Sequence, residues 1–492
     1  MPHRSRLLPV LTVTMVSLIA VQLSLGIAGS SPGYEWFDPI VDVRRILLDG
    51  HLQSPDQDDM QQAAIAAMVE SLDDPYSIWV PDDHEGSFTK DLEGDYVGIG
   101  AEIRVIDDEL TIISPMPNSP ALESGIKAGD RVLMIDGEPT AQQPIAALID
   151  KLVGIPGTVV RVQVRHLDGA IQEIDITRNR IQTNTVLGLL RRGGAWQWCI
   201  DAEAGIMYAR IRQFTDTTLD ELASTIQSVE ETHDIAAIVL DLRDNPGGTL
   251  HAAIGVSDMF LESGTIVSVE GRNAQRRSWK ATPRRLAADA ELLVLVNGNS
   301  ASAAEIVAGS LQGNGRAAVL GTRSYGKGSV QEVRELPSGG MLKFTTGRYD
   351  LPGGRTIDRS LTDEEGVWGV DPDPGLVVRE SIEQTLARFK AREPFTIITD
   401  QEPEGPDCGD ETWIRQTLQD EQLASAVDAL RHKLDSGDWP ILNDEPPMAA
   451  ALQDEVRMLS ERREKIIDAL DEVDERLAVL NGTTSAETDD QP

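Results

Sequence analysis

The sequence predicts a multidomain α/β protein with helices at the front, a small β-rich domain, a mixed α/β core and helices at the end. Three observations carry that reading. Residues 235–242 and 292–296 are near-continuous apolar runs of strand length, and a helical stretch at 302–312 separates the second from a further apolar strand at 317–320. Apolar strands alternating with helices imply a sheet covered on both faces. Residues 91–180 change character, with short alternating strands such as 110–113 and 159–164 and a short helix at 144–152. Gly125, Gly129, Gly137, Gly154 and Gly157 punctuate that stretch. Near the end, Leu452, Val456, Leu459, Ile466, Leu470, Val473, Leu477 and Leu480 recur at an alternating four-three spacing, with Arg463 in one slot. That is a heptad register.

The elements follow in order. Arg4 and Arg6 precede an uncharged run over 7–34 whose centre, 10–27, is mostly apolar. A positive start followed by an apolar stretch is a secretory signal, and Gly26-Ile27-Ala28 offers a small-x-small cleavage site. The run is also long enough to stay as a membrane span. Residues 1–34 are therefore a signal peptide or a signal anchor, and the rest is expected in the periplasm or another extracytoplasmic space. Residues 35–90 read as helices, with Phe37, Ile40, Val41, Ile46 and Leu47 near helical spacing and Gly50 as a stop. Met60, Ala64, Ala67, Met68 and Leu72 repeat the pattern until Asp73-Asp74-Pro75 ends it. The β-rich domain takes 91–180 and the α/β core 181–380. Residues 381–446 form an acidic, partly loop-like extension with Pro394, Pro403, Pro406 and Pro440. The heptad helix and a tail fill 447–492, with Asn481-Gly482 as the stop. An oligomerisation arm and an amphipathic helix lying on its own domain both fit that register.

Composition excludes several classes. The 492 residues carry 44 basic and 81 acidic side chains, a net charge of −37, which repels phosphate backbones and argues against nucleic acid as partner. Two cysteines, Cys199 and Cys408, exclude a disulfide scaffold and a cysteine-rich metal site, and their pairing is not legible. The seven histidines are scattered, and no HExxH occurs. No metal or cofactor is implied.

Three segments of the core carry chemistry. Asn299-Ser300-Ala301-Ser302-Ala303-Ala304-Glu305 follows a buried strand and opens a helix, so free helix amides lie beside Ser302 and can hold a developing oxyanion. Ser302 with Glu305 is equally a capping box. In Tyr325-Gly326-Lys327-Gly328-Ser329-Val330-Gln331, a strand opening at Lys327 would put Ser329 and Gln331 on its face. Gln331 could then orient the lysine, and a neutral lysine is a general base. A surface lysine in a glycine-rich turn is the plainer reading. In Asp244-Asn245-Pro246-Gly247-Gly248 the adjacent glycines let backbone amides turn toward a reacting carbonyl, or simply make a tight turn. His251, just beyond, reads as structural. Together the segments supply a serine nucleophile, a lysine base and an amide loop for acyl transfer.

These stretches resemble the C-terminal processing peptidases, or tail-specific proteases. The matching segments are IVLDLRDNPGG at 238–248, VNGNSASAAEIVAGSLQGNGRAAVLG at 296–321 and YGKGSVQ at 325–331. YVGIGAEI at 96–103 and NSPALESGIKAGDRVLMIDGEP at 118–139 resemble the family's PDZ domain, LDDPYS at 72–77 its N-terminal region and DEQLASAVDAL at 420–430 its C-terminal helix. The resemblance covers about 36–435. It implies a crotonase-like α/β peptidase core, with Ser302 as nucleophile, Lys327 as general base and Gln331 positioning it. Ala303 would be one oxyanion donor and Gly247 or Gly248 the other. The amides of Ile99, Gly100 and Ala101 would bind a substrate's terminal carboxylate, its tail adding as a strand beside 101–105 with the 144–152 helix as the other wall. The chain departs from the family at Val153-Gly154, where an Arg-Gly pair is common, at Ala101, where a bulkier apolar residue is common, and at Ala304, often a serine.

The expectation is an exported Ser–Lys endopeptidase acting on proteins with free C-terminal tails. A membrane anchor at the front, and self-association or a regulatory partner through the last helix, would complete it. The rival is a catalytically silent PDZ and coiled-coil scaffold that binds protein C-termini, against which Ser302, Lys327 and Gln331 stand intact. An acyl-CoA enzyme on the same fold class has no use for a tail reader. A His-Asp-Ser PDZ protease lacks its usual G-N-S-G-G serine setting here.

Overall fold

The computed structural model describes residues 35–82, 95–272, 274–283, 286–287, 289–361, 367–406, 408 and 410–486. The run read as signal or anchor lies outside them. Among the described residues no helix is long and apolar enough to cross a membrane. The chain divides into two compact units, Met1–Pro81 with Val333–Lys343, and Asp82–Glu332 with Phe344–Pro492.

In the first unit, helix Asp38–Gly50 has its proline in the first turn, where no intrahelical donor is lost. Its apolar positions Val41 and Ile46 stay exposed rather than forming a core face. Asp56 caps helix Gln57–Glu70, accepting the N–H groups of Asp58 at 2.8 Å and Asp59 at 3.1 Å. Strand Ile78–Val80 pairs antiparallel with the start of Met341–Asp350, Val80 opposite Met341. Gly340 lies against the Trp79 ring, where a β-carbon would collide.

The second unit opens with the β-rich domain. Its sheet runs Ala101–Ile106, Glu109–Pro115, Arg131–Ile135, Val159–Arg165, Ile171–Thr177, and Asp95–Gly98 pairs separately with Asn179–Gln182. Alternation sets the faces: Val160, Val162 and Val164 are buried, while Val159, the first residue of the strand, turns outward. They pack with Leu110, Ile112, Ile135 and Leu148 in one core.

The α/β core is built on four parallel strands, Ile206–Ile211, Ala237–Asp241, Glu291–Val296 and Ala318–Gly321. Every residue of Ala237–Asp241 is buried, as a central parallel strand requires. Successive side chains serve opposite layers. Ile238 and Leu240 join helices Thr218–Glu230, Leu250–Phe260 and Ala303–Gly313 in one core, and Ala237 and Val239 join helix Glu421–Ser436 in the other. Leu292 and Leu293 divide in the same way.

The acidic extension at 381–446, expected to be partly loop-like with one helix, holds three helices, Ile382–Thr396, Glu411–Gln416 and Glu421–Ser436. Helix Ile382–Thr396 leaves its apolar Ile382, Leu386 and Phe389 exposed and buries Arg388 and Arg392, so hydrophobic periodicity misplaces its inward face. The last helix, Pro447–Ala486, runs through Asn481-Gly482. One interior glycine costs only about 1 kcal/mol and does not stop a long helix. Its first turns are tied to the core by Arg379, which donates to Glu445 at 2.5 Å and Gln453 at 3.0 Å. Beyond them Val456, Leu459, Ile466, Leu470 and Val473 are exposed.

Cys199 and Cys408 form a disulfide spanning 209 residues of sequence. It joins strand Cys199–Asp201 to the segment before helix Glu411–Gln416. A cross-link over so long a loop restricts the unfolded chain strongly. Replacing both cysteines by serine is expected to lower stability by about 2–5 kcal/mol, read as a fall in thermal midpoint that reductant reproduces in the unaltered protein; equal midpoints would contradict this account.

Candidate active site

The site lies where the parallel strands end. Strand Glu291–Val296 passes through residues 297–301 into helix Ala303–Gly313, and two loops are laced together there. Ser300 Oγ donates to the Leu242 carbonyl at 2.8 Å, the Ala301 N–H to that of Asn245 at 2.9 Å, and Asn297 Nδ2 to Asp244 Oδ1 at 2.9 Å. Ser302 ends the turn with φ 54° and ψ −112°. An ordinary N-cap takes an extended backbone. A non-glycine residue held in this left-handed region costs about 1–3 kcal/mol, a strain that clusters at functional sites. The sharp strand-to-helix bend presents a serine hydroxyl as nucleophile elbows do.

Glu305 fixes this turn. Fully buried, its carboxylate accepts the N–H of Ser302 at 2.8 Å, Gly326 at 2.6 Å and Lys327 at 2.9 Å, and the Ser324 hydroxyl at 2.6 Å. Burial pushes its pKa up, and the four hydrogen bonds pull the other way. All four groups donate, so the ionised carboxylate is the form that fits. One side chain thus joins the Ser302 turn to the Lys327 turn.

Lys327 is half-buried between glycines that the backbone needs. A β-carbon on Gly326, at φ +87°, would meet Trp368 at 2.5 Å, and one on Gly328 would meet Asp358 at 2.6 Å. The strand opens at Ser329 rather than at Lys327. Ser329 and Gln331 do share a face, because Gln331 Nε2 donates to Ser329 Oγ at 2.8 Å and to Thr345 Oγ1 at 3.4 Å. The sequence reading did not single out Tyr349. Its hydroxyl is in hydrogen-bond contact with the Ser302 side chain, and burial pushes its pKa up to about 12. Tyr349 N–H donates to the Gly328 carbonyl at 2.7 Å, so it is placed from the Lys327 turn. Only strand pairing brings it there, and a single sequence carries no signal of that.

Gly247 and Gly248 sit opposite. Gly247, at φ +103°, lies so close that a β-carbon would come within 2.8 Å of Ser302 Cβ and 3.0 Å of Ala303 N. Its N–H donates to Asn245 Oδ1 at 2.8 Å. The Gly248 N–H has no acceptor among the described residues, and as first residue of the helix Ala303 has a free N–H as well.

Behind the loops lies a buried charge network. Arg243 donates to both oxygens of Asp241 at 2.9 and 2.7 Å and to both of Asp420 at 2.7 and 2.8 Å. Burial alone would push both carboxyls up, but the Arg243 guanidinium holds them below the usual carboxylate range. Arg388 bonds Glu380 at 2.9 Å and Asp244 at 3.2 Å.

The PDZ-like loop stands apart. Gly100, at φ +74°, packs on Ser119, and the carbonyls of Ile99 and Gly100 accept from Ala121 and Met116. The Ile99 and Gly100 N–H groups have no acceptor among the described residues. Ala101 begins strand Ala101–Ile106, while Ile145 and Ile149, one turn apart on helix Ile145–Leu152, are exposed. Beside Val153 an arginine arrives from elsewhere: Arg178 donates to the Lys151 and Leu152 carbonyls at 2.7 and 3.2 Å. Among the described residues no group of three or more His, Cys, Asp or Glu could hold a metal ion.

Comparison with known proteins adds the following. The model of Peptidase family S41 matches residues 205–374 and that of the PDZ domain residues 97–177. The chain is 32% identical over 372 residues to the "Carboxy-terminal-processing protease" of Bartonella bacilliformis, covering 74% of this chain and 80% of that one. It is 32% identical over 350 residues to the "Probable CtpA-like serine protease" of Staphylococcus saprophyticus, covering 70% and 68%. Identity to the "Carboxy-terminal processing protease CtpA" of Bacillus subtilis is 29% over 357 residues, covering 70% and 74%.

Replacing Arg243 by methionine leaves two buried carboxylates unpaired and is expected to cost about 3–5 kcal/mol at neutral pH. In the unaltered protein Asp241 and Asp420 have folded pKa values below the unfolded value near 3.9. Their contribution is therefore present above that pH and lost as pH falls through the folded values. The stability gap to Arg243→Met should therefore narrow as pH falls below about 4; a gap independent of pH in urea unfolding would contradict the assignment.

Proposed function

The chain belongs to peptidase family S41 and is a serine-type peptidase with a PDZ domain, and from that premise we propose an exported endopeptidase that reads protein C-terminal tails and cuts by a Ser–Lys mechanism. The observation that carries this reading is the shared carboxylate of Glu305, which holds the Ser302 elbow and the Lys327 backbone on one anchor. Lys327, as the amine, takes the proton of Ser302 as Oγ attacks the scissile carbonyl. The N–H groups of Ala303 and Gly248 stabilise the oxyanion, and Gly247 supports them by close packing and not by its own committed amide. Lys327 then protonates the leaving amine as the acyl-enzyme forms. Water, deprotonated by Lys327, releases the acyl group as a carboxylate and restores Ser302. Gln331 positions the lysine from the strand face it shares with Ser329.

Ile99, Gly100 and Ala101 are proposed to receive the tail's carboxylate, which the unpaired Ile99 and Gly100 amides and the exposed Ile145 and Ile149 support. Export is supported by the N-terminal leader pattern and by the Cys199–Cys408 disulfide, a bond that persists in oxidising compartments. Self-association is proposed through helix Pro447–Ala486, where Leu452, Val456, Leu459, Ile466, Leu470, Val473 and Leu477 are exposed.

Two experiments test this. The unaltered protein, Ser302→Ala and Lys327→Ala are each incubated with an unstructured protein ending in an apolar tail, free or amidated. Cleavage by the unaltered protein alone is expected, at thermal midpoints close to one another and more slowly on the amidated tail. A serine that only caps its helix would cost about 1 kcal/mol and leave cleavage intact. Removing residues 447–492 should lower the mass measured by light scattering to that of a monomer; an unchanged mass would rule out the arm.

A further inference from the structure

A cavity of about 600 Å³ opens beside the Gly247 loop, between the PDZ domain and the core. Glu102 and Arg104 of strand Ala101–Ile106 line one side, Pro246 marks the end next to Gly247, and Arg210 and Arg212 line the core wall. The charges there are unevenly paired. Arg104 is held by Glu393 at 3.2 Å, and Arg392 donates to the Tyr208 hydroxyl at 2.7 Å and the Gly188 carbonyl at 3.1 Å. Two acids face Arg210, but Asp241 is taken up by Arg243, and Asp244 already accepts from Arg388, Asn297 and Asn299.

Arg210 and Arg212 are left over. Arg210 reaches Asp244 only at 3.8 Å, and its buried Nε has no acceptor. The Arg212 guanidinium is exposed and has no partner among the described residues. Trp196 Nε1, on the same cavity, is a third donor without an acceptor. A protein of net charge −37 that keeps an unpaired Arg212 beside a loosely paired Arg210 in one cavity has a site suited to an anion. Guanidinium groups match carboxylates best, by paired hydrogen bonds.

The strand sets the position. Arg210 lies near the end of strand Ile206–Ile211, Arg212 just past it, and two residues further on Phe214 N–H donates to the Gly247 carbonyl at 2.8 Å. Arg212 and Arg210 are thus at most ~7 Å and ~14 Å of chain from the residue that holds that loop. We propose that this cavity is the passage of the substrate tail from the PDZ domain to Ser302, and that Arg210 and Arg212 select tails carrying a carboxylate about two to four residues beyond the scissile bond. The proposal rests on Ser302 as nucleophile. The carboxylate is either an Asp or Glu side chain or the terminus of a short tail.

The test measures kcat/KM for the full chain on peptides with one Asp or Glu moved through the tail, against Asn or Gln at the same position, each with a free or an amidated end. Charge-assisted hydrogen bonds predict a preference on the order of tenfold for the acid at one position. In Arg212→Gln the ratio should fall toward one, and Arg212→Glu should favour Lys there. A preference that tracks amidation and disappears in Arg212→Gln assigns the site to the terminal carboxylate. No preference in the unaltered protein, or one that persists in both Arg212→Gln and Arg210→Gln, overturns the proposal; if Arg210→Gln does not fold, Arg212→Gln decides alone. If the unaltered protein cuts nothing, the catalytic reading is what fails. The cavity is then judged by peptide binding to Ser302→Ala, where equal Kd for acid and amide peptides overturns it.

Discussion

A buried carboxylate must be fully hydrogen-bonded or it destabilises the fold by several kcal/mol, and Glu305 places that demand at the centre of this protein. Its partners come from two separate turns, so meeting the demand fixes where those turns lie relative to each other. The left-handed backbone of Ser302 and the close glycines around Lys327 are conformations that neither segment would hold alone. A charge that cannot be left unpaired is a firmer constraint than apolar packing, which tolerates small shifts. The helix-capping and catalytic readings of Ser302 and Glu305 therefore belong to one geometry: the carboxylate that completes the cap is also the anchor of the second turn.

A second constraint acts from behind. Parallel strands need cover on both faces, and helices Thr218–Glu230, Leu250–Phe260 and Ala303–Gly313 cover only one. The other depends on helix Glu421–Ser436, from a part of the chain remote from the motifs. Arg243 connects the two, bound on one side to Asp241 at the strand end and on the other to Asp420 at the start of that helix. The glycine loop that follows Arg243 is thereby referred to the C-terminal layer as well as to the sheet.

What the sequence made legible followed from local rules. The runs at 235–242 and 292–296 are strands because nothing polar interrupts them, and the helix after Ser302 opens where apolar spacing and a cap coincide. The strand alternation behind Ser329 and Gln331 is equally local. What stayed hidden depends on pairing across long separations. Tyr349 reaches Ser302 only through its strand partner, and the choice between Gly247 and Gly248 turns on where Asn245 points. Helix Ile382–Thr396 buries arginines, so its inward face looked like a solvent face. The cysteine bond and the run of the last helix past Gly482 were beyond a single sequence for the same reason.

The disulfide and the C-terminal layer also impose an order in time. A chain is made from its N-terminus, so the strands, Ser302 and Lys327 all emerge before Cys408, Asp420 and helix Glu421–Ser436. Until those arrive, one face of the sheet is bare and Arg243 lacks one of its two carboxylates. Ser302 and Lys327 are thus synthesised early and framed late. A chain cut short before helix Glu421–Ser436 would therefore keep Ser302 and Lys327 but lose the layer that backs their sheet.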